Sequence, residues 1–568
     1  MKLLKSGVPM QELSKAIGVR PLRIYLVTRR VSEGSTGPSL TRRATSCLAP
    51  MVMCLFAASA LAAEVEEEGA PKERFNPECR TFSSYKDVGY DQKQRPQFHF
   101  TSRKNWLNDP NGLVYYDGEW HLFFQHNPRR NGDGEKCWGH AVSKDLLHWE
   151  QLPHAILPYK SGSGKGGVIW SGSAVVDHNN SLGKQVGDVK TIVAFFTHTA
   201  GPMEQCAAYS TDKGRTFKLI NEGDAVVPNQ GIWKGERDPK VFWHDATKKW
   251  VMAVIVGGPD KLVRIWNSDD LVDWKEAGDF SRHFAECFDM YPLSVDGDRN
   301  NRKWVCNDAA FYYQIGDFNG SVFSSDNKML LGDWGGRRFS KAFYAGQTFN
   351  NSPDGRVYQI AWMKGAGKDN PFKKAGLPFT QQMTFPCELT LRTTAEGVRI
   401  FRWPIDGIKT LYKKSHAFTN MTTVSEANEA VSDIKADLID VSITFTPIAD
   451  ELITFRVRGL NITYGNSTKF PNKDGKMVTV PSIGFDNIED AKPVIRIPAP
   501  TVDGVVGLRL LLDRLSIEMF VNGGAYAAAS YCTPTTDRIE FSVSEGDALQ
   551  VDSLVVNELR SIWKEDRR

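Results

Sequence analysis

The chain has 568 residues, 41% of them hydrophobic and 24% charged, which allows a sizeable buried core and more than one globular domain. Its net charge is +3, but residues 1–63 hold nine Lys/Arg against two Asp/Glu, so that segment carries +7 and the rest of the chain −4. A slightly acidic body argues against nucleic acid or any other polyanion as a partner.

Residues 1–63 read as a signal or processing segment. Arg42-Arg43 precede a 17-residue apolar run, Cys47 to Ala63, which ends in small residues before the acidic stretch Glu64 to Glu68. The pattern predicts an exported protein, periplasmic or extracellular, cleaved near Ala60 to Ala63. The run is too short, and too interrupted by Pro50, to favour a membrane span, so no stable membrane association is expected once it is removed. The stretch before Arg42 is longer than an ordinary n-region and points to a start downstream of Met1. Residues 64–91 read as an acidic linker. Without Cys47 and Cys54, seven cysteines remain: Cys79, Cys137, Cys206, Cys287, Cys306, Cys387 and Cys532. They show no C-x-x-C and no histidine at metal spacing, so neither a zinc site nor a dense disulfide framework is expected; one or two bridges fit the count, with at least one thiol left over.

Residues 92–404 are dominated by short β-type runs between Gly, Asp and Asn turns. The stretch Asn105-Trp106-Leu107-Asn108-Asp109-Pro110-Asn111-Gly112 reads as a tight turn, because Pro110 fixes the backbone and Asn111-Gly112 tolerate positive φ. Val114-Tyr115-Tyr116, Asp117-Gly118 and Trp120 to Phe124 read as a hairpin of aromatic-rich strands. A Ser-x-Asp turn with an aromatic four or five residues after the Asp recurs at Ser143, Ser210 and Ser268, 67 and 58 residues apart. Repetition at about 60 residues predicts propeller blades, about five in this length, against the alternative of an irregular β-sandwich. In residues 405–568 the runs Leu452 to Arg458 and Leu515 to Val521, the latter closed by Asn522-Gly523-Gly524, alternate as strands with one buried and one wet face. The expected fold is all-β: a five-bladed β-propeller followed by a β-sandwich.

Three acidic positions stand out in the first region. Asp109 lies in the stretch just described. Asp238, in Glu236-Arg237-Asp238-Pro239, repeats the Asp-Pro arrangement with an Arg neighbour expected to keep it ionised. Glu286, in Phe284-Ala285-Glu286-Cys287-Phe288, is flanked by apolar residues, a setting that suits a general acid. Glycoside cleavage needs such a set: one carboxylate as nucleophile or base, and one protonated carboxyl to release the leaving oxygen. Innermost propeller strands converge on an axial pocket, where residues distant in sequence meet.

In order, Trp106 to Gly112, Trp170-Ser171-Gly172-Ser173, Glu236 to Pro239 and Glu286-Cys287 resemble the motif series of glycoside hydrolase family 32, the β-fructofuranosidases. Pro386 to Leu391 and Ser516 to Phe520 extend the resemblance, so that it covers about residues 92 to 565. It implies a propeller plus sandwich and a retaining double displacement on terminal β-D-fructofuranosyl units of a fructan (levan or inulin) or sucrose. Asp109 matches the family's nucleophile, Asp238 the residue that binds fructosyl hydroxyls, and Glu286 the acid/base. Asn108, Gln125, Trp138, Trp170, Ser171, Arg237 and Trp362 match positions that contact the sugar. No metal or organic cofactor is implied. Two departures affect the pocket wall: Phe288-Asp289 where the family commonly has Pro-Asp, and Phe195-Phe196-Thr197-His198 where many members have Phe-Tyr-Thr-Gly. The rival readings are a sucrose-specific invertase or transfructosylase, an inverting arabinan-type propeller glycosidase, and a non-catalytic carbohydrate-binding propeller.

Overall fold

The computed structural model describes Tyr85 and residues 88–563, apart from 258–260, 282–283, 326–327, 335–341, 366–369, 472–475 and 487–492. The signal segment, most of the linker, and Cys47, Cys54 and Cys79 lie outside the described residues.

The architecture is a five-bladed β-propeller followed by a β-sandwich. Four antiparallel strands make each blade. The first blade runs Asn105–Tyr116, Glu119–Asn127, Cys137–Ser143, Trp149–Ile156, and the next two begin at Ile169 and Arg237. The fourth and fifth, beginning at Asp289 and Phe343, share one sheet through the parallel contact of Val295 with Leu391. Phe379–Thr380 returns to pair in parallel with Asn105 and Trp106 of the first blade, so late chain covers the edge of early chain.

Local chemistry explains the blades. The first hairpin turns on Asp117 and Gly118, both at positive φ (50° and 85°), the twist that a two-residue loop needs to match its strands. Each recurring Ser-x-Asp sequence forms the same device between the third and fourth strand of its blade. Asp145 Oδ1 accepts from Ser143 Oγ and from the amides of Leu147 and His148; Asp270 does the same with Ser268, Val272 and Asp273; Asp212 accepts from Ser210 and Thr216.

The blades are pinned at the axis. Lys240 Nζ lies 2.7 Å from Asp289 Oδ1, both side chains almost wholly buried, and Asp289 Oδ2 accepts the Thr348 amide at 2.6 Å. One ion pair thus joins the innermost strands of the third, fourth and fifth blades. Asn350 Nδ2 donates to the carbonyls of Ala174 and Val241, tying in the second.

The sandwich stacks a six-stranded sheet, which includes Ile439–Phe445, Val506–Leu512 and Ser516–Val521, on a five-stranded sheet that includes Ile453–Val457 and Leu460–Pro471. Ile453–Val457 alternates as expected. Ser516–Val521 departs from the expected wet face, since every residue is buried. The cause is the propeller: Leu511, Phe520 and Ala527 share a core with Phe98, Leu107, Phe385 and Ile405. At this joint His99 donates to Asp513 (2.8 Å) and Glu518 (2.9 Å), all three fully buried. Burial opposes the imidazolium charge, but the two carboxylates outweigh it and lift the His99 pKa to about 9.

Candidate active site

The Asn-Asp-Pro-Asn-Gly string is not a turn between strands, as its composition suggests. It lies inside the 12-residue strand Asn105–Tyr116, whose pairing with the second strand slips between Leu107 and Pro110 and again between Asn111 and Val114. Proline fits because a bulge demands no ladder N–H there. Gly112 is required twice over: its φ is +53°, and a Cβ would stand 2.8 Å from the rings of Phe123 and Trp138.

The same device recurs around the axis. Register slips fall between Ile169 and Gly172, Arg237 and Lys240, and Tyr344 and Gln347, in the innermost strands of the second, third and fifth blades. Asp238, Cys287 and Ala345 sit at φ 64°, 51° and 52°, a region that non-glycine residues seldom enter, and such strain gathers at functional sites. Asp109, Ser171 and Asp238 each fall inside one of these slips.

Asp109 is 8% exposed and closes a ring of hydrogen bonds. Asn108 Nδ2 donates to Asp109 Oδ1 and to Gln125 Oε1, both at 3.1 Å; Gln125 Nε2 donates to Ser171 Oγ at 2.5 Å; Ser171 Oγ donates back to Asp109 Oδ2 at 2.6 Å. Trp106 Nε1 orients Asn108 from outside the ring. The carboxylate plane is thereby fixed by side chains of two blades.

Cys287 joins this carboxylate to the next. Its thiol donates to Asp109 Oδ2 at 3.4 Å and its backbone N–H to Asp238 Oδ2 at 2.6 Å. Glu286, one residue earlier, therefore stands beside both. Its Oε2 accepts from Arg237 Nη2 at 2.9 Å and its Oε1 from the Tyr344 hydroxyl at 2.5 Å. A cavity of about 500 Å³ opens against Glu286, walled by Trp233, Arg237, Lys261, Phe284 and Tyr344.

The electrostatics of Asp238 reverse the expectation from its neighbour. Arg237 pairs most closely with Glu286 and lies 3.7 Å from Asp238. Burial dominates Asp238, and Arg237 and the Cys287 amide offset it only in part, so its pKa rises to about 7.

Residues 99–404 match the model of the glycosyl hydrolases family 32 N-terminal domain, and residues 407–558 that of the family 32 C-terminal domain. The chain belongs to glycoside hydrolase family 32. A levanase of Bacillus subtilis is 34% identical over 503 residues, spanning 84% of this chain and 72% of that protein. An extracellular exo-inulinase of Aspergillus ficuum is 29% identical over 530 residues, spanning 84% and 96%. The crystal structure of an exo-inulinase from Aspergillus awamori superposes with a TM-score of 0.68 at 25% identity, covering 84% of this chain and all of that one.

In this family 32 chain Asp109, Asp238, Glu286, Asn108, Gln125, Ser171 and Arg237 come together. Trp170 lies at their edge, 5.8 Å from the Arg237 guanidinium. Trp138 is wholly buried between Phe123 and Phe196, pairs with Gln125 across the strands and donates its N–H to the Trp170 carbonyl. Trp362 packs edge-on against Trp106 and Tyr344 and donates to Gln381. Three participants were not singled out by the sequence: Cys287 as the bridge, Tyr344 as donor to Glu286, and Trp233, whose ring stacks 4.7 Å from Arg237. Phe343-Tyr344-Ala345-Gly346, a short run with no acidic residue, offers no carboxylate signal. The six described cysteines, Cys137, Cys206, Cys287, Cys306, Cys387 and Cys532, are buried, and no disulfide forms among them. No helix among the described residues is long and apolar enough to cross a membrane.

Proposed function

We propose that this glycoside hydrolase releases terminal β-D-fructofuranosyl units from levan or inulin, and fructose from sucrose, with retention of configuration. The observation that carries the reading is the bridge at Cys287, which sets Asp109 and Asp238 on one residue and Glu286 on the next. In the first step Glu286 protonates the glycosidic oxygen while an Asp109 oxygen attacks the anomeric carbon; the C–O bond breaks and a fructosyl ester forms. In the second step Glu286, now ionised, takes a proton from water, whose oxygen displaces Asp109 and frees fructose. The ring of Asn108, Gln125 and Ser171 aims the nucleophile. Asp238 holds fructosyl hydroxyls, Arg237 and Trp170 wall the sugar, and the cavity against Glu286 receives the leaving group. The relatives named levanase and exo-inulinase support a fructan as substrate. The apolar run ending at Ala63, together with a relative named extracellular, supports export.

The test is time-resolved product analysis on levan, inulin and sucrose with the wild type and Asp109→Ala. Fructose alone as the early product, with the variant slower by a factor of at least about 10⁴, is expected. Fructose oligomers as early products would make attack endo, and inertness on all three substrates would overturn the reading.

A further inference from the structure

His198, one of the two residues at which the chain departs from the usual family stretch, does not stand alone. The second blade's hairpin pairs His198 with Glu204 directly across the two strands, and Cys206 follows two residues on, with its side chain on the same face. A nitrogen of His198, a carboxylate oxygen of Glu204 and the sulfur of Cys206 all lie within 4.8 Å of one another, and all three residues are buried.

Each has spare bonding capacity. His198 is 0% exposed, and although the Tyr159 and Gly167 backbones lie near its ring, neither nitrogen reaches hydrogen-bond geometry. Glu204 Oε2 is taken by Lys165 Nζ at 2.8 Å, but Oε1 is buried without a partner. The Cys206 thiol makes a long contact, 3.5 Å, to the Gly223 carbonyl and also meets the Tyr159 hydroxyl. Leaving an imidazole and a carboxylate oxygen unpaired in a dry interior is costly, and a native fold rarely keeps several such atoms together without a ligand. Tyr159 stacks on the imidazole at 4.4 Å, nearly parallel, and its hydroxyl is held by Gly223, so the ring is fixed in place.

We propose that His198, Glu204 and Cys206 bind a divalent transition-metal ion of zinc type. An N, O and S donor set suits borderline-soft Zn²⁺, with a fourth position left for water. Bonds of about 2.0–2.3 Å place neighbouring tetrahedral ligands roughly 3.3–3.8 Å apart, so binding closes the gaps between the three side chains by up to about 1.5 Å. Glu204 binds through Oε1 and keeps Lys165 on Oε2. The metal displaces the Cys206 thiol proton and takes the thiolate. The site lies one residue from the groups that hold the third blade: Thr197 Oγ1 accepts the Asp238 amide, and Gln205 Nε2 donates to the Glu236 carbonyl. A metal here staples the hairpin on the face that packs against the first blade, while its opposite face supports Asp238 in the third.

The full chain, stripped with a chelator and titrated with Co²⁺ as a spectroscopic stand-in for Zn²⁺, tests this. One ion per chain is expected, with a thiolate-to-cobalt charge-transfer band that Cys206→Ser abolishes. His198→Gln, judged folded by circular dichroism, is expected to weaken binding at least tenfold, and Zn²⁺ is expected to raise the melting temperature of the wild type but not of this variant. Absence of stoichiometric Co²⁺ in the folded wild type, or a band that survives Cys206→Ser, would overturn the proposal.

Discussion

The Tyr344 hydroxyl donates to Glu286 Oε1 at 2.5 Å, from an innermost strand of a different blade. With Arg237 on Oε2, the carboxyl is gripped at both oxygens. Removing the hydroxyl alone, by Tyr344→Phe, leaves Oε1 without its donor while the ring still packs on Trp362. A hydrogen bond to a charged group contributes about 1.5–3 kcal/mol, so kcat/KM is expected to fall roughly 10–100-fold with little change in melting temperature. Steady-state kinetics on the preferred fructan checks it, and unchanged kinetics would remove Tyr344 from the machinery.

Asp238→Asn trades activity for stability. The Asp238 folded pKa is near 7, above its unfolded value of 3.8, because burial penalises the charge. Its favourable contribution is therefore complete below about pH 4 and is lost as pH rises through 7. Asparagine escapes that loss. The variant is expected to match the wild type in stability at pH 4 and to exceed it by on the order of a few kcal/mol at pH 8, while kcat/KM falls roughly 10²–10³-fold. Urea unfolding at the two pH values reads the gap, and no gap at pH 8 would contradict the assignment.

How much of this was legible in the sequence depends on what each residue needed from its neighbours. The Ser-x-Asp turns and the Asp117-Gly118 hairpin are local chemistry, and they form as read. Asp109 was marked by unusual residues, yet its setting was misread as a turn, because composition shows where the backbone departs from a ladder but not whether the strand resumes beyond. Asp238 was expected to follow its sequence neighbour, whereas Arg237 turns to Glu286, 49 residues away, and burial decides the charge. The bridging role of Cys287 and the part played by Tyr344 were not legible, since a backbone amide and a lone tyrosine carry no signal until the fold brings Asp238 and Glu286 to them. His99 was silent for the same reason: its partners lie 414 and 419 residues further on.

His99→Leu removes the cation that bonds two buried carboxylates. Losing one member of a buried charged set costs roughly 3–5 kcal/mol, and that loss is expected here with kcat/KM nearly unchanged for whatever fraction stays folded. The sign of the pH dependence follows from the raised value: the His99 contribution is full below pH 6.5 and is lost as pH climbs through 9. Thermal unfolding of wild type and variant should therefore converge between pH 6.5 and pH 9 and differ most near pH 6. Parallel curves across that range would show that His99 is not charged in the fold.

The His99 joint also sets how the chain can be divided. Asp513 Oδ2 accepts the Phe98 amide as well as His99, and Glu518 Oε1 accepts the Phe385 amide, so propeller backbone and a propeller cation together neutralise acids that belong to the sandwich. Cut free near residue 405, the C-terminal half would present two acids in the middle of an apolar face, and the N-terminal half would present a stranded imidazole opposite. The two halves are distinct in shape but share one electrostatic seal. Recombination between relatives at this boundary is expected to succeed only when the histidine and both acids travel with matching partners.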